Sequence, residues 1–317
     1  MSFPTQHLAR LRPSPADSPV HALAFSSGSG QHLLTGSQDR LIRLFNPSQP
    51  SKQAIQTYAA HGYEVLTLAI SADNARFISG GGDKSVFLWD VATAQTIRRF
   101  NGHAGRVEGV AWGGEGDSVV VSGSYDGTVK IWDTRAQGGR AIQSLSEARD
   151  AVSCVSVSGG EVYAGSVDGK VRVYEIGTRR IETDVLGASV TSVVPTQAGD
   201  SYLVSTLDST VRLMDRGSGR CLQTFKEGTF CNDTYRVRST LAMADAMVIS
   251  GSENGRVYVW DVLTGKLMYT PRHSREDGEG KVSGKGDVVA AVAWNQARKQ
   301  WASAGGDGGV VIWGEGH

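Results

Sequence analysis

Ser118-Val-Val-Val-Ser-Gly-Ser-Tyr-Asp-Gly-Thr-Val-Lys-Ile-Trp-Asp133 reads as two strands folded about a tight turn. Short runs of Val and Ile, alternating or apolar on both faces, are those of buried strands. Asp126-Gly127 supplies the positive-φ conformations that a hairpin turn demands. The same phrase returns along the chain: small residues with Gly, Ala or Ser, an Asp, then alternating hydrophobics ending on an aromatic and often an acid. Its other copies are Thr35 to Asp39 with Phe45, Ser79 to Asp83 with Trp89, Ala164 to Asp168 with Tyr174, Ser205 to Asp208 with Met214, Ser250 to Asn254 with Trp260, and Ser303 to Asp307 with Trp313. The Asp or Asn positions 39, 83, 126, 168, 208, 254 and 307 are separated by 44, 43, 42, 40, 46 and 53 residues. An apolar third strand precedes each pair: Val20 to Phe25, Val65 to Ile70, Val107 to Trp112, Val152 to Val157, Val190 to Val194, Arg238 to Met243 and Val288 to Trp294. A weaker fourth strand follows, as at Thr96 to Phe100 and Cys221 to Phe225.

Four strands per unit and a period of roughly 40–45 residues resemble the WD-repeat family. The resemblance implies an all-β, seven-bladed WD40 β-propeller over residues 1–317 as a single domain. Only four residues follow Trp313, too few for the outer strand of the last blade. The spare segment around Leu8 to Leu11 is expected to supply it, so that the ring is closed by an N-terminal strand completing the last blade. Closure of this kind leaves only short, protected strand edges.

Composition agrees with such a chain and narrows its function. Gly is abundant at 40 residues and Pro scarce at 8, among 317 in all. Lys+Arg and Asp+Glu balance at 32 each, so no bulk field draws the chain to nucleic acid or an anionic membrane. Cys154, Cys221 and Cys231 are scattered and odd in number, the usage of a reducing compartment. No apolar leader opens the sequence, and its longest apolar run, Val288 to Trp294, is too short to span a bilayer. A soluble intracellular protein, monomeric by itself, is expected.

Two copies carry the full set that, by the resemblance, braces a blade: His61, Ser79, Asp83, Trp89 and His103, Ser122, Asp126, Trp132. An imidazole, hydroxyl, carboxylate and indole each need a partner once buried. The set repeats and lacks a G-x-S-x-G elbow, so a hydrolase is not implied and no enzyme is expected. Ala16, Ala148 and Lys285 fall where the imidazole would sit in other copies, and those blades are expected to be held mainly by packing. Gly113 to Gly116 and Gly305 to Gly309 sit at turns, and Gly284-Lys285-Gly286 lacks the hydroxyl residue and upstream spacing of a phosphate loop. No His/Cys cluster has zinc spacing, so no cofactor or metal is expected. Residues 272–286, charged and Gly-rich, read as a mobile insertion.

Family analogy places docking on the loops between blades, where Tyr63, Glu64, Arg106, Glu108, Glu147, Arg149, Asp150, Tyr235 and Arg236 lie. Tyr and Arg are the side chains that concentrate binding energy at interfaces. Several stretches are similar to the mitogen-activated-protein-kinase organiser family: His61-Gly-Tyr-Glu-Val-Leu66, Gly80-Gly-Gly-Asp-Lys84, Gly102-His-Ala-Gly-Arg-Val107, Glu147-Ala-Arg-Asp150, Ala164-Gly-Ser-Val-Asp-Gly-Lys-Val-Arg172 and Leu207-Asp-Ser-Thr-Val-Arg-Leu213. The similarity implies a scaffold for other proteins, in kinase modules or with the spliceosome, shared between cytoplasm and nucleus. Phe230-Cys231-Asn232 departs from its pattern, where Gly-His is expected. Trp132-Asp-Thr-Arg135 resembles the W-D-x-R box of substrate receptors of cullin-type ubiquitin ligases, which makes Arg135 the residue to watch under that alternative.

Overall fold

Seven antiparallel sheets of four strands make up the computed structural model, which describes residues 3–13, 18–49, 53–273 and 287–315. Numbered along the chain, the blades run from innermost to outermost strand over residues 20–58, 65–101, 107–145, 152–185, 190–225 and 239–269. The seventh is built from Ala291–Asn295, Gln300–Ala304 and Val310–Gly314, with Gln6–Leu11 as its outer strand. The first strand therefore closes the ring, pairing Leu11 with Val310 and Gln6 with Gly314. Ala9 and Leu11 bury their side chains, while Arg10 bonds the Asp307 carboxylate and donates to the His273 carbonyl at 3.0 Å. Upstream, the Trp301 indole donates to Pro4 O at 2.7 Å, and Phe3 stacks against Tyr269 and Trp294.

The glycine of the recurring phrase lets one blade pack on the next. A Cβ on Gly36, Gly80, Gly123 or Gly165 would lie 2.7, 2.5, 2.6 or 2.4 Å from a methyl of Val65, Val107, Val152 or Val190. Each of those valines opens the inner strand of the following blade. The core is accordingly built between blades: Ala22, Leu34 and Ile42 of the first meet Val65, Phe77, Phe87 and Trp89 of the second.

Two inner strands are shorter than the sequence suggests. Arg238 to Met243 reduces to Ser239–Ala242, because Met243, Ala244 and Asp245 turn the chain with φ of 54°, 54° and 64°. Val288 to Trp294 starts at Ala291 instead. Its first residues bond outward, Val289 N to Ser252 O at 2.9 Å and Ala290 O from Arg238 N at 3.0 Å. The insertion expected at 272–286 falls, from residue 274, outside the described residues.

Candidate functional site: the channel and its mouth

Blades one to five share a defect that shapes the axis. Their inner strands slip register after Val20, Val65, Val107, Val152 and Val190, leaving His21, Leu66, Glu108, Ser153 and Thr191 unpaired in the ladder. A bulge re-aims the extra residue and frees its backbone groups, which then need partners. The sixth blade supplies them. Arg236 Nη1 donates to Glu108 O and Ser153 O, both at 2.8 Å, and bonds the Glu108 carboxylate. Its Nη2 and that of Arg238 reach Leu66 O at 3.3 and 2.7 Å. Two guanidiniums thus tie the sixth blade to the second, third and fourth across the channel, a task suited to a planar group with five donors.

On one side of this tie is a hollow of about 350 Å³ lined by residues including His21, Gln38, Glu64, Arg106, Tyr235 and Arg236. Beside it a lobe of about 240 Å³ adds Tyr125, Val167, Leu207 and Thr234. On the other side a chamber of about 310 Å³ is lined by Arg238, Cys154, Ser192 and Trp294 among others. Burial, then Arg236 and Arg238, hold His21 down to about 4, so it stays neutral beside them.

The loop that carries Tyr235 and Arg236 is the one that departs from the expected Gly-His. Glu253 Oε1 accepts the consecutive backbone N–H groups of Asp233, Thr234 and Tyr235 at 2.7, 2.7 and 2.8 Å. Successive N–H groups in a turn form a cradle for an anion, and here the chain fills it with its own carboxylate.

The sequence-derived docking residues separate into two kinds. Tyr63, Arg149 and Asp150 are exposed, Glu64 is half-buried, and Arg106 lies 4.6 Å over the Tyr125 ring while bonding Glu108. Glu108 and Arg236 are not rim residues: Glu108 is buried and turned to the axis by its bulge, and Arg236, from the loop before the sixth blade, is consumed in the tie with it. Glu147, exposed, sits against the Tyr174 hydroxyl, and burial and then Glu147 raise the pKa of that phenol. Arg135 lies at the far end of its strand, 75% exposed, its backbone N–H and Nε both reaching Asp133 Oδ1 at 2.7 and 3.3 Å. Asp90, Asp215 and Asp261 close comparable turns onto Thr93, Ser218 and Thr264, so the four-residue box is a chain turn that other blades make without an arginine.

The bracing residues meet in the second and third blades. His61 Nδ1 donates to Asp83 at 2.8 Å, Ser79 Oγ bonds His61 Nε2 at 2.7 Å, and the Trp89 indole donates to Ser79 Oγ at 2.8 Å. The corresponding distances through His103, Asp126, Ser122 and Trp132 are 3.0, 2.8 and 2.8 Å. The seventh blade, expected to lack an imidazole, has one: His273 bonds Ser303 Oγ at 2.8 Å and Asp307 at 3.3 Å, and Trp313 donates to the same Ser303 at 2.8 Å. Residue 285 stands at the usual offset from Ser303, whereas the true histidine precedes the insertion.

Packing alone does not hold the remaining blades either. In the first, fourth and fifth, an arginine four residues beyond the turn Asp replaces the imidazole: Arg43 on Asp39 at 2.7 Å, Arg172 on Asp168 at 2.6 Å and Arg212 on Asp208 at 2.7 Å. Arg172 and Arg212 also donate to Ser166 and Thr206, at 3.2 and 2.7 Å, as an imidazole serves two partners. In the sixth blade the same position is Tyr258, whose hydroxyl accepts from Asn254 at 2.8 Å. The D-x-x-x-R spacing was visible in the sequence. Glu253, Arg238 and the bulge residues carried no comparable signal.

Among the described residues, no three His, Cys, Asp or Glu side chains are grouped to hold a metal ion. Seven blades, a shared brace and a latched ring define a WD-repeat β-propeller, and the chain belongs to the WD-repeat family. The WD domain, G-beta repeat family matches residues 6–46, 52–90, 94–133 and 139–175. Each match runs from an outer strand through three strands of the next blade, so the sequence repeat straddles the structural one. Among relatives, the chain is 42% identical over 248 residues to WD repeat domain-containing protein 83 of Rattus norvegicus, covering 78% of this chain and 77% of that protein. The homolog of that protein in Dictyostelium discoideum is 28% identical over 316 residues, covering 90% and 92%. Autophagy-related protein 16 of Arabidopsis thaliana is 26% identical over 310 residues, covering 95% of this chain but 58% of its own length.

Proposed function

We propose that this propeller is a non-enzymatic scaffold that docks other proteins on the face bearing the channel mouth. Kinase signalling modules or spliceosome-associated complexes, in cytoplasm and nucleus, are the proposed setting. The resemblance to the organiser family and the 42% identity to WD repeat domain-containing protein 83 support that setting. The observation that carries the docking role is the mouth itself. A hollow of about 350 Å³ lined by Arg106 and Tyr235 adjoins a lobe lined by Tyr125, above a floor fixed by the Arg236 tie, and Tyr63 and Arg149 are exposed on the neighbouring loops. Such a platform needs little ordering when a partner arrives, and its rim offers the aromatic and guanidinium anchors that binding uses.

Affinity purification with mass spectrometry, comparing the wild-type protein with Tyr63→Ala plus Arg149→Glu, tests the reading. Both side chains are exposed, so the double variant is expected to melt with the wild type and to lose a defined set of partners. Retention of every partner sinks the choice of face. A cullin adaptor that co-purifies and disappears with Arg135→Ala would move the function to the opposite face.

A further inference from the structure

The tie across the channel does not balance its charge. Among the described residues, Glu108 is the one acid lining the chamber beneath it, and its carboxylate already bonds Arg106 and Arg236. Arg106 is half in solvent, but Arg236 and Arg238 converge from the sixth blade on Leu66 O with that single carboxylate beside them. Among the described residues, the Arg238 side chain makes one hydrogen bond, from Nη2 to Leu66 O at 2.7 Å, and no ion pair. The rest of its fork turns to a chamber of about 310 Å³.

The hydroxyls around that chamber are already engaged. Ser156 donates to Val193 O at 2.7 Å, Ser192 to Ser239 O at 3.3 Å, and Thr191 to Ser205 O at 3.3 Å. Thr67 Oγ1 accepts from Val110 N at 3.2 Å. Cys154, which also lines it, is kept as a thiol by burial. The cavity thus presents one strong unspent donor group carrying one uncompensated positive charge. Burial, and then Arg236, push the Arg238 guanidinium down to about 9, the direction expected of a cation that lacks its counter-ion.

We propose that this chamber binds one small carboxylate, gripped by the free edge of Arg238. A carboxylate matches the guanidinium fork with two parallel bonds, and its single charge equals the imbalance. Inorganic phosphate, which at pH 7.5 is largely the dianion, overshoots it. The site is separate from the docking face, on the far side of the tie, and neither reading depends on the other.

Trp294 lines the chamber, so its indole emission reports occupancy. Acetate is titrated against the purified protein at pH 7.5, with chloride at matched ionic strength as the blank, and Trp294→Phe identifies the signal. Saturable one-to-one binding of acetate, tighter than inorganic phosphate, is expected. Arg238→Gln should weaken it roughly tenfold or more, the loss of a charged hydrogen-bond pair, while Lys226→Gln on the surface leaves it unchanged. Should Arg238→Gln fail to fold, Arg238→Lys keeps the charge, loses the fork and is expected to bind several-fold more weakly. Tetraglycine with a free C-terminus, against its amidated form, separates a threaded chain end from a free small acid. No saturation with acetate or the free-ended peptide, equal binding in the Arg238 variants, or phosphate binding tighter than acetate would each overturn the proposal.

Discussion

An aspartate at the turn of six of the blades must be satisfied, and this chain does so in two ways. Where the imidazole is present it bridges Asp and Ser, as in His61, His103 and His273. Where it is missing, a guanidinium on the same strand takes the carboxylate from within four residues. The exchange is coupled to the indole, since Phe45, Tyr174 and Met214 stand in the three arginine blades. Arg172 and Asp168 are 5% and 10% exposed at their side chains, so removing the arginine strands a buried carboxylate. Arg172→Leu is therefore expected to cost about 3 kcal/mol in urea unfolding. Adding Asp168→Leu should recover a large part of that, because no orphan charge remains. If the single variant unfolds with the wild type, the pair is not the brace. This level of detail was half legible. The full sets at His61 and His103 stood out from type and spacing, whereas His273 was hidden because an insertion separates it from its strand. The arginines were overlooked because they read as ordinary outward residues of an alternating strand.

Strand against strand, the sequence announced most of what the blades contain. The seven phrases, the order of four strands and the role of the segment near Leu8 all followed from periodicity and turn chemistry. Strand ends at Met243 and Val288 were not foreseeable, because they depend on backbone bonding between blades. The bulges were invisible for a like reason: a single unpaired residue such as Glu108 changes register without changing the apolar pattern around it. The middle-strand glycines are where element packing is least forgiving. Gly123→Ala places a methyl about where Val152 Cγ1 now sits, 2.6 Å from the ideal Cβ, and should cost about 1–3 kcal/mol. Val152→Ala in the same chain should return part of the loss, since the clash is with that side chain and with Val155 Cγ1 at 2.7 Å. A double variant weaker than the sum of the two single ones would show that the glycine serves some other purpose.

Across the whole ring, acid is the condition that tests its electrostatics. His21 takes its proton near 6.5 when free and near 4 when folded, and burial likewise depresses His103, so descent below 6.5 favours the unfolded chain. Further down, Asp126 and Asp168 remain ionised to about 2, held there against burial by their hydrogen bonds, while the same side chains in the unfolded chain protonate near 3.8. Their contribution is full above 3.8 and is lost as pH falls towards 2. Melting temperature should be level above pH 7, decline gently from about 6.5, and fall faster below about 4. A midpoint that is flat from pH 7 to 4 would contradict the placement of His21 in the channel.

Gln6 to Leu11 leaves the ribosome before the other strands of the ring, and its hydrogen-bonding partner, Val310 to Gly314, after them. Until that partner is made the latch has nowhere to dock, and six blades can assemble while the seventh waits for both of its parts. Such a long-range pairing is slow to form because the loop it closes contains the six other blades. The nascent protein accordingly carries an open, bonding strand edge until Val310 to Gly314 emerges. That interval is when a chaperone, or a partner able to lend a strand, would have its best opportunity to engage it.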